Sequence, residues 1–317
     1  MIQTHSPPQT LFRLRAGYPF LSEIKRILLE QVDLALWELE TPGLEVDVAV
    51  HETRKCFKRI RGMLRLVRDE IDPAAYAGLN ALFRDAGRQL SDLRTSAVLS
   101  ETVEKVQERF PQQLSRDEAA QLVQKLQAHH ATLQAEVIPQ KTLFQQVAQR
   151  CRWGRQQIVE LPLVADKFPA GGMRRVYRRG HRGLHRCQQD GSVANFHEWR
   201  KRVKYLRYHV RVLSPLWPPV LDALTGELVI LSDLLGLDHD LAELHNTLTK
   251  RPELRLHASG KSLRLIEDYR NELEARALSM GQRLYAEKPK AFIGRMHIYW
   301  QVWCQDEVLE SYDPRSL

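Results

Sequence analysis

Cysteine is scarce in this 317-residue chain: Cys56, Cys151, Cys187 and Cys304 stand far apart and form no C-x-x-C pair. A zinc ribbon or thioredoxin-like motif is therefore unsupported, and reduced thiols in a cytosol are expected rather than a disulfide-dense secreted scaffold. Long apolar runs are missing too. No uncharged stretch approaches the ~18 residues that a membrane span needs, and "MIQTHSPPQTLFRLRAG" at the N-terminus lacks the apolar core of a signal peptide. The expectation is a soluble, cytoplasmic protein with no membrane partner. Period-2 alternation is rare, and hairpin dipeptides are absent but for "DGS" at 190–192, which suits an interhelical turn. A phosphate-binding glycine loop and a G-x-S-x-G elbow are also lacking, so neither a catalytic residue nor a cofactor is assigned, and the chain is not expected to be an enzyme.

What the chain does have is helical periodicity and positive charge. It is 43% hydrophobic and 27% charged, ordinary for a globular protein, with a net charge of +8 and a pI near 9.4. Such a balance points to an anionic partner. Apolar residues at alternating spacings of three and four predict helices over 18–40, 46–71, 73–109, 116–159 (interrupted near Pro139), 172–188, 193–213, 218–249, 258–286 and 289–308. Asp72 before Pro73 reads as an N-cap, and Ser115 with Glu118 as a capping box.

The charge is organised. "VHETRKCFKRIRGMLRLV" (50–67) and "FHEWRKRVKYLRYHVRVL" (196–213) superpose at an offset of 146 positions, His51 falling on His197. Arg54, Lys55, Lys58, Arg61 and Arg65 then match Arg200, Lys201, Lys204, Arg207 and Arg211. At 100° per residue, Phe57, Ile60, Leu64 and Val67 fall between roughly 160° and 240° from His51, and the cations occupy the opposite sector. A solvated face mixes signs so that i,i+4 pairs stabilise it; these rows repel instead, and twice in register. An anion site formed by both helices is expected, the alternative being neutralisation by acids on neighbouring helices.

A third basic element, "MRRVYRRGHRGLHRCQ", carries Arg174, Arg175, Arg178, Arg179, Arg182 and Arg186 without an acid. Arg178 and Arg182 are expected to close the groove. Guanidinium forks bind phosphate oxygens bidentately, and lysine adds a point charge. His51 and His197 would donate hydrogen bonds to phosphate, increasingly as pH falls toward ~6. His181 and His185, at i,i+4, are read as surface histidines because flanking arginines repel a metal ion. Asp238, His239, Asp240 and Glu243 are read as an N-cap with an acidic first turn, a divalent-ion site being the other reading. Trp199 falls on the apolar stripe, while Tyr205 and Tyr208 stay ambiguous between core and base-stacking platform. No metal site is assigned.

The two basic helices, with "LSDLLGLDHDLAEL" and "YAEKPKAF", resemble the CHAD family, the conserved-histidine α-helical domain. Its signature is His-x-x-Arg-Lys-x-x-Lys-x-x-Arg. The resemblance implies an all-α fold of two pseudo-symmetric antiparallel bundles facing a basic central groove, with a first lobe over 16–165 and a second over 166–310. Residues 1–15 would be a flexible N-terminus and 311–317 a tail. It also implies binding of inorganic polyphosphate and association with polyphosphate granules. Single-stranded RNA or another polyanion, including an acidic protein, is the alternative partner. Where the family often has an Arg-Asp pair after the first basic helix, this chain reads "DLRTSAV", with Thr95 after Arg94. No Glu-x-Glu-x-Lys signature of an attached triphosphate-tunnel domain is seen, so a stand-alone version is expected.

Overall fold

The protein, seen as a computed structural model, is described over residues 6–135, 140–162, 167–251 and 260–310, leaving aside the side chains of 92–97, 129–135, 140 and 307–310. Those residues form eleven α-helices, one 3-10 turn (Ser214–Leu216) and no strand. The helices are α1 (Phe20–Glu40), α2 (Val46–Leu66), α3 (Pro73–Gln89), α4 (Ser91–Arg109), α5 (Arg116–Ala135) and α6 (Gln140–Glu160). They continue with α7 (Ala170–Gln189), α8 (Val193–Val212), α9 (Pro218–Lys250), α10 (Gly260–Leu284) and α11 (Pro289–Glu310). No helix among the described residues is long and apolar enough to cross a membrane.

Local chemistry sets most boundaries. Asp72 accepts the N–H of Ala75 at 2.8 Å, with Pro73 in the first turn of α3. Ser115 and Glu118 exchange the two bonds of a capping box at the start of α5, 3.2 and 2.9 Å long. The stripe on α2 is buried at Phe57, Ile60, Leu64 and Val67, and that on α8 at Val203, Leu206, Val210 and Leu213. Two predicted helices come out differently. α2 ends at Leu66 rather than residue 71, and 73–109 divides at Leu90. At that division the Gly87 carbonyl accepts from Arg54 of α2, and Ser91 Oγ also contacts it at 3.4 Å. The interruption expected near Pro139 and the side chain of Thr95 lie outside the described residues.

α2 packs on α1, α3 and α4, and α8 on α7 and α9. The halves meet where α2 touches α7 and α8, and where α4 touches α9 and α10. Ahead of α1, the chain crosses between them: Leu14 is buried, and its N–H donates to the Val212 carbonyl at 3.0 Å. Small residues make the closest approaches. A Cβ on Gly172 of α7 would lie 2.0 Å from the Leu66 carbonyl oxygen and 2.5 Å from that of Arg65. Both obstacles are backbone, so neither can swing aside. Gly172→Ala should therefore lower stability by about 1–3 kcal/mol, seen as a lower urea midpoint with an unchanged slope.

Candidate functional site

One cleft of about 430 Å³ lies between α2, α3 and α8. Its walls carry Arg54, Lys58 and Arg61 from one repeat and His197, Arg200, Lys201 and Lys204 from the other. Part of each row that periodicity placed on the two helices therefore shares one hollow, of a size common for small-ligand sites. Arg84 and Arg88 of α3 complete the rim, and Phe57, Phe83, Tyr205 and Tyr208 form its apolar base.

The cations differ in how far they are neutralised. Lys55 is paired with Glu52 at 2.8 Å and Lys201 with Glu198 at 2.5 Å, so the glutamate that follows each histidine offsets the lysine three residues on. Arg54 is held by the Gly87 carbonyl and by Ser91 Oγ at 2.7 Å. Arg61 has only a 3.3 Å bond from Nε to the Asn80 side-chain oxygen. Among the described residues, neither Arg61 nor Lys204 has a carboxylate within 4 Å. Burial, then Arg200, Lys58 and Arg207, hold the Lys204 ammonium well below the usual lysine range, with Asp240 opposing them. Positive charge is thus concentrated where it is least comfortable.

The remaining predicted residues are distributed differently. His51 is exposed beside Glu52, 3.9 Å away, and does not line the cleft; nor does Lys55. Arg65 is half-buried over the Tyr205 ring, 4.2 Å from its centroid, and donates to the Arg61 carbonyl at 2.7 Å. Arg207 lies 3.9 Å from Asp233 and Arg211 4.0 Å from Asp222, both outside the cleft wall. Arg178 and Arg182 are exposed on α7 and do not close the cleft, because α7 covers the flank of α8 remote from α3.

His197 sits in the cleft with its Nδ1 3.1 Å from Nδ1 of His239, a residue of α9. Burial first, then Lys201 and Arg200, depress the His197 ring below its ordinary range, and burial with Arg200 drives His239 to about 3. His239 is therefore neutral near pH 6, and the protonated form of His197 is disfavoured in the free protein, contrary to the expectation from an unperturbed histidine. Asp238 is also not an N-cap. It lies inside α9, buried, with Arg270 Nε at 3.0 Å. His181 and His185 pack edge to face at 4.7 Å on α7, and among the described residues no three potential ligands are grouped around a metal position.

Arg84 and Arg88 are absent from the sequence expectations, and His239, read there as part of an acidic first turn, is instead the neighbour of His197. The two arginines share Asp85, at 2.8 and 3.5 Å, so in sequence they look like an ordinary mixed surface. Their spacing of four was the one available signal. Trp199 is fully buried, with Cβ positions on Gly183 and Gly281 falling 2.8 and 2.6 Å from its ring. Tyr205 and Tyr208 are 9% and 5% exposed, which makes them floor rather than platform.

An all-helical protein with a cationic cleft between repeated helices is the class these observations define. The CHAD domain model matches residues 30–249, more than half of the chain, and the protein belongs to that family. PptA from Streptomyces chartreusis aligns with a TM-score of 0.55 at 15% identity, covering 85% of this chain and all of its own. The CHAD domain from the plant Ricinus communis gives 0.51 at 18% identity, covering 90% of this chain and 98% of that one. Likeness at these identities establishes the fold. No curated protein matches.

Lys204 supplies a test of the electrostatics independent of any ligand. Its folded pKa lies below the unfolded value of about 10.4, so between the two the folded state binds fewer protons and stability rises with pH. Lys204→Met should raise the melting temperature at neutral pH. It should also flatten the rise of the urea midpoint toward pH 10 relative to the parent. An equally steep rise in both proteins would mean that the ammonium is not under this stress.

Proposed function

We propose that the cleft between α2 and α8 binds inorganic polyphosphate without catalysis, and that the protein associates with polyphosphate granules through it. The observation that carries this reading is the half-buried Lys204, with no carboxylate within 4 Å among the described residues and cations of both repeats around it. A phosphate chain would supply the missing negative charge along the whole wall. Membership of a family linked in general to polyphosphate binding supports the same conclusion. Arg54, Lys58, Arg61, Arg200, Lys201 and Lys204 are the contacts proposed, with Arg84 and Arg88 added from α3. His197 would donate once the polyanion restores its proton affinity.

Nucleic acid is the rival polymer, and the aromatic side chains argue against it. Base stacking on a protein needs accessible ring faces. Tyr205 is covered by Arg65, and the Tyr208 ring lies 3.0 Å from where a Cβ on Gly62 would stand. A cleft with such a base reads charge, not bases.

Arg61→Glu combined with Lys204→Glu should weaken long-chain polyphosphate binding on the order of 100-fold while the far-ultraviolet dichroism stays helical. In the parent, log affinity should fall linearly with log salt. Single-stranded RNA of matched charge should compete poorly. An affinity flat in salt, or RNA displacing polyphosphate at equal charge, would overturn the reading.

A further inference from the structure

A second group of arginines gathers on the other flank of α8. Arg179 of α7 stands one helical turn after Arg175, which holds Asp69 next to Arg68 just beyond the end of α2, and it feels the charges of Arg175, Arg68 and Arg202 of α8. Partial burial first, and then these three neighbours, depress its pKa. The group has two acids: Asp69 holds Arg175 at 2.6 Å and Glu198 holds Arg202 at 3.1 Å. Arg68 and Arg179 have no carboxylate within 4 Å among the described residues. Arg68 Cζ lies over the Tyr76 ring, 4.8 Å from the centroid, a cation–π contact that uses none of its N–H donors as a hydrogen bond.

The cluster is joined to the cleft. Arg65 feels both Arg61, which lines the cleft, and Arg202, which belongs to the cluster. Tyr205 touches both regions: it lines the cleft floor, and Arg65 lies over its ring. A row of cations therefore runs from Lys58 and Arg61 past Arg65 to Arg202, Arg179 and Arg68. It is built from α2, α7 and α8. Asp69 and Glu198 offset Arg175 and Arg202 along it, and the remaining cations outnumber them.

We propose that Arg68, Arg179 and Arg202 form a second polyphosphate contact, over which a chain too long for the cleft continues after passing Arg61 and Arg65. The proposal rests on the polyphosphate reading of the cleft and extends it to chain length. Tripolyphosphate, short enough to stay in the cleft, should not sense the cluster; long-chain polyphosphate should.

The two probes separate the possibilities. In Arg68→Gln with Arg179→Gln, tripolyphosphate affinity should stay within about twofold, because both side chains lie outside the cleft. Long-chain affinity should fall on the order of tenfold or more, and the slope of log affinity against log salt should shrink by about 2. Arg68→Lys with Arg179→Lys keeps the charge and should restore that slope. An unchanged long-chain slope in the glutamine variant overturns the second contact and leaves the cleft intact, as does equal loss of both probes. Tripolyphosphate held undiminished by Arg61→Glu with Lys204→Glu would instead overturn the cleft reading itself.

Discussion

Two helices that each carry a row of cations can cross only if something other than charge holds them, and at the α2–α8 crossing that something is Gly62. With no side chain there, the Tyr208 ring seats against α2. The neighbouring His209 reaches the Gly62 carbonyl through Nε2 at 3.0 Å. A carbonyl only accepts, so Nε2 must carry the hydrogen. The ring is fully buried, and burial pushes its pKa down to about 4, so it adds no charge to the crossing. Neutral contacts at the centre allow charged ones at the rim, and the distance between the rows follows from how closely Tyr208 approaches Gly62.

The second half supports its side of the cleft from behind. Trp199 is wedged between Gly183 of α7 and Gly281 of α10, which fixes the rotation of α8 about its axis. That rotation decides which residues face α3, since Trp199 and Arg200 differ by only 100° around a helix. Behind Arg200, Asp238 and Glu274 share Arg270, at 3.0 and 2.8 Å. Burial raises both carboxyls, and their mutual repulsion raises Glu274 to about 7. This group ties α9 to α10, so the His239 that meets His197 comes from a helix with its own anchorage.

Most of the secondary structure was legible because its causes are local. Apolar residues three and four apart, a capping box and an aspartate before proline each act within one turn. The repeat was legible too, and with it the fact that Arg54, Lys58 and Arg61 face the same hollow as Arg200 and Lys204. The remainder depends on contacts between helices that lie tens to about 150 residues apart in sequence. Nothing around Leu90 announces a break; the guanidinium of Arg54 on another helix occupies the Gly87 carbonyl. Nothing in "LFRDAGRQL" distinguishes Arg84 and Arg88 from ordinary surface. Helical periodicity gives the angle of Arg178 and Arg182 on α7, but not which flank of α8 that helix covers. The downward shift of His197 arises from partial burial, with Lys201 and Arg200 acting alongside it, a quantity that residue types alone do not carry.

Why a fold should keep such a cleft can be argued from the same energies. Cations crowded in partial burial destabilise the ligand-free chain, and apolar replacements would relieve the cost. A polyanion entering the cleft finds that desolvation and crowding already present in the protein; its charge removes repulsion as well as adding attraction. Binding of this kind favours ligands by charge density, and consecutive phosphates exceed a peptide of spaced carboxylates in that respect. The lysines paired with Glu52 and Glu198 gain less, because each must give up a neighbour to gain a phosphate. On the polyphosphate reading, the strongest contacts would fall to Arg61 and Lys204, which have no carboxylate within 4 Å among the described residues, while Glu52 and Glu198 offset part of the repulsion in the ligand-free chain.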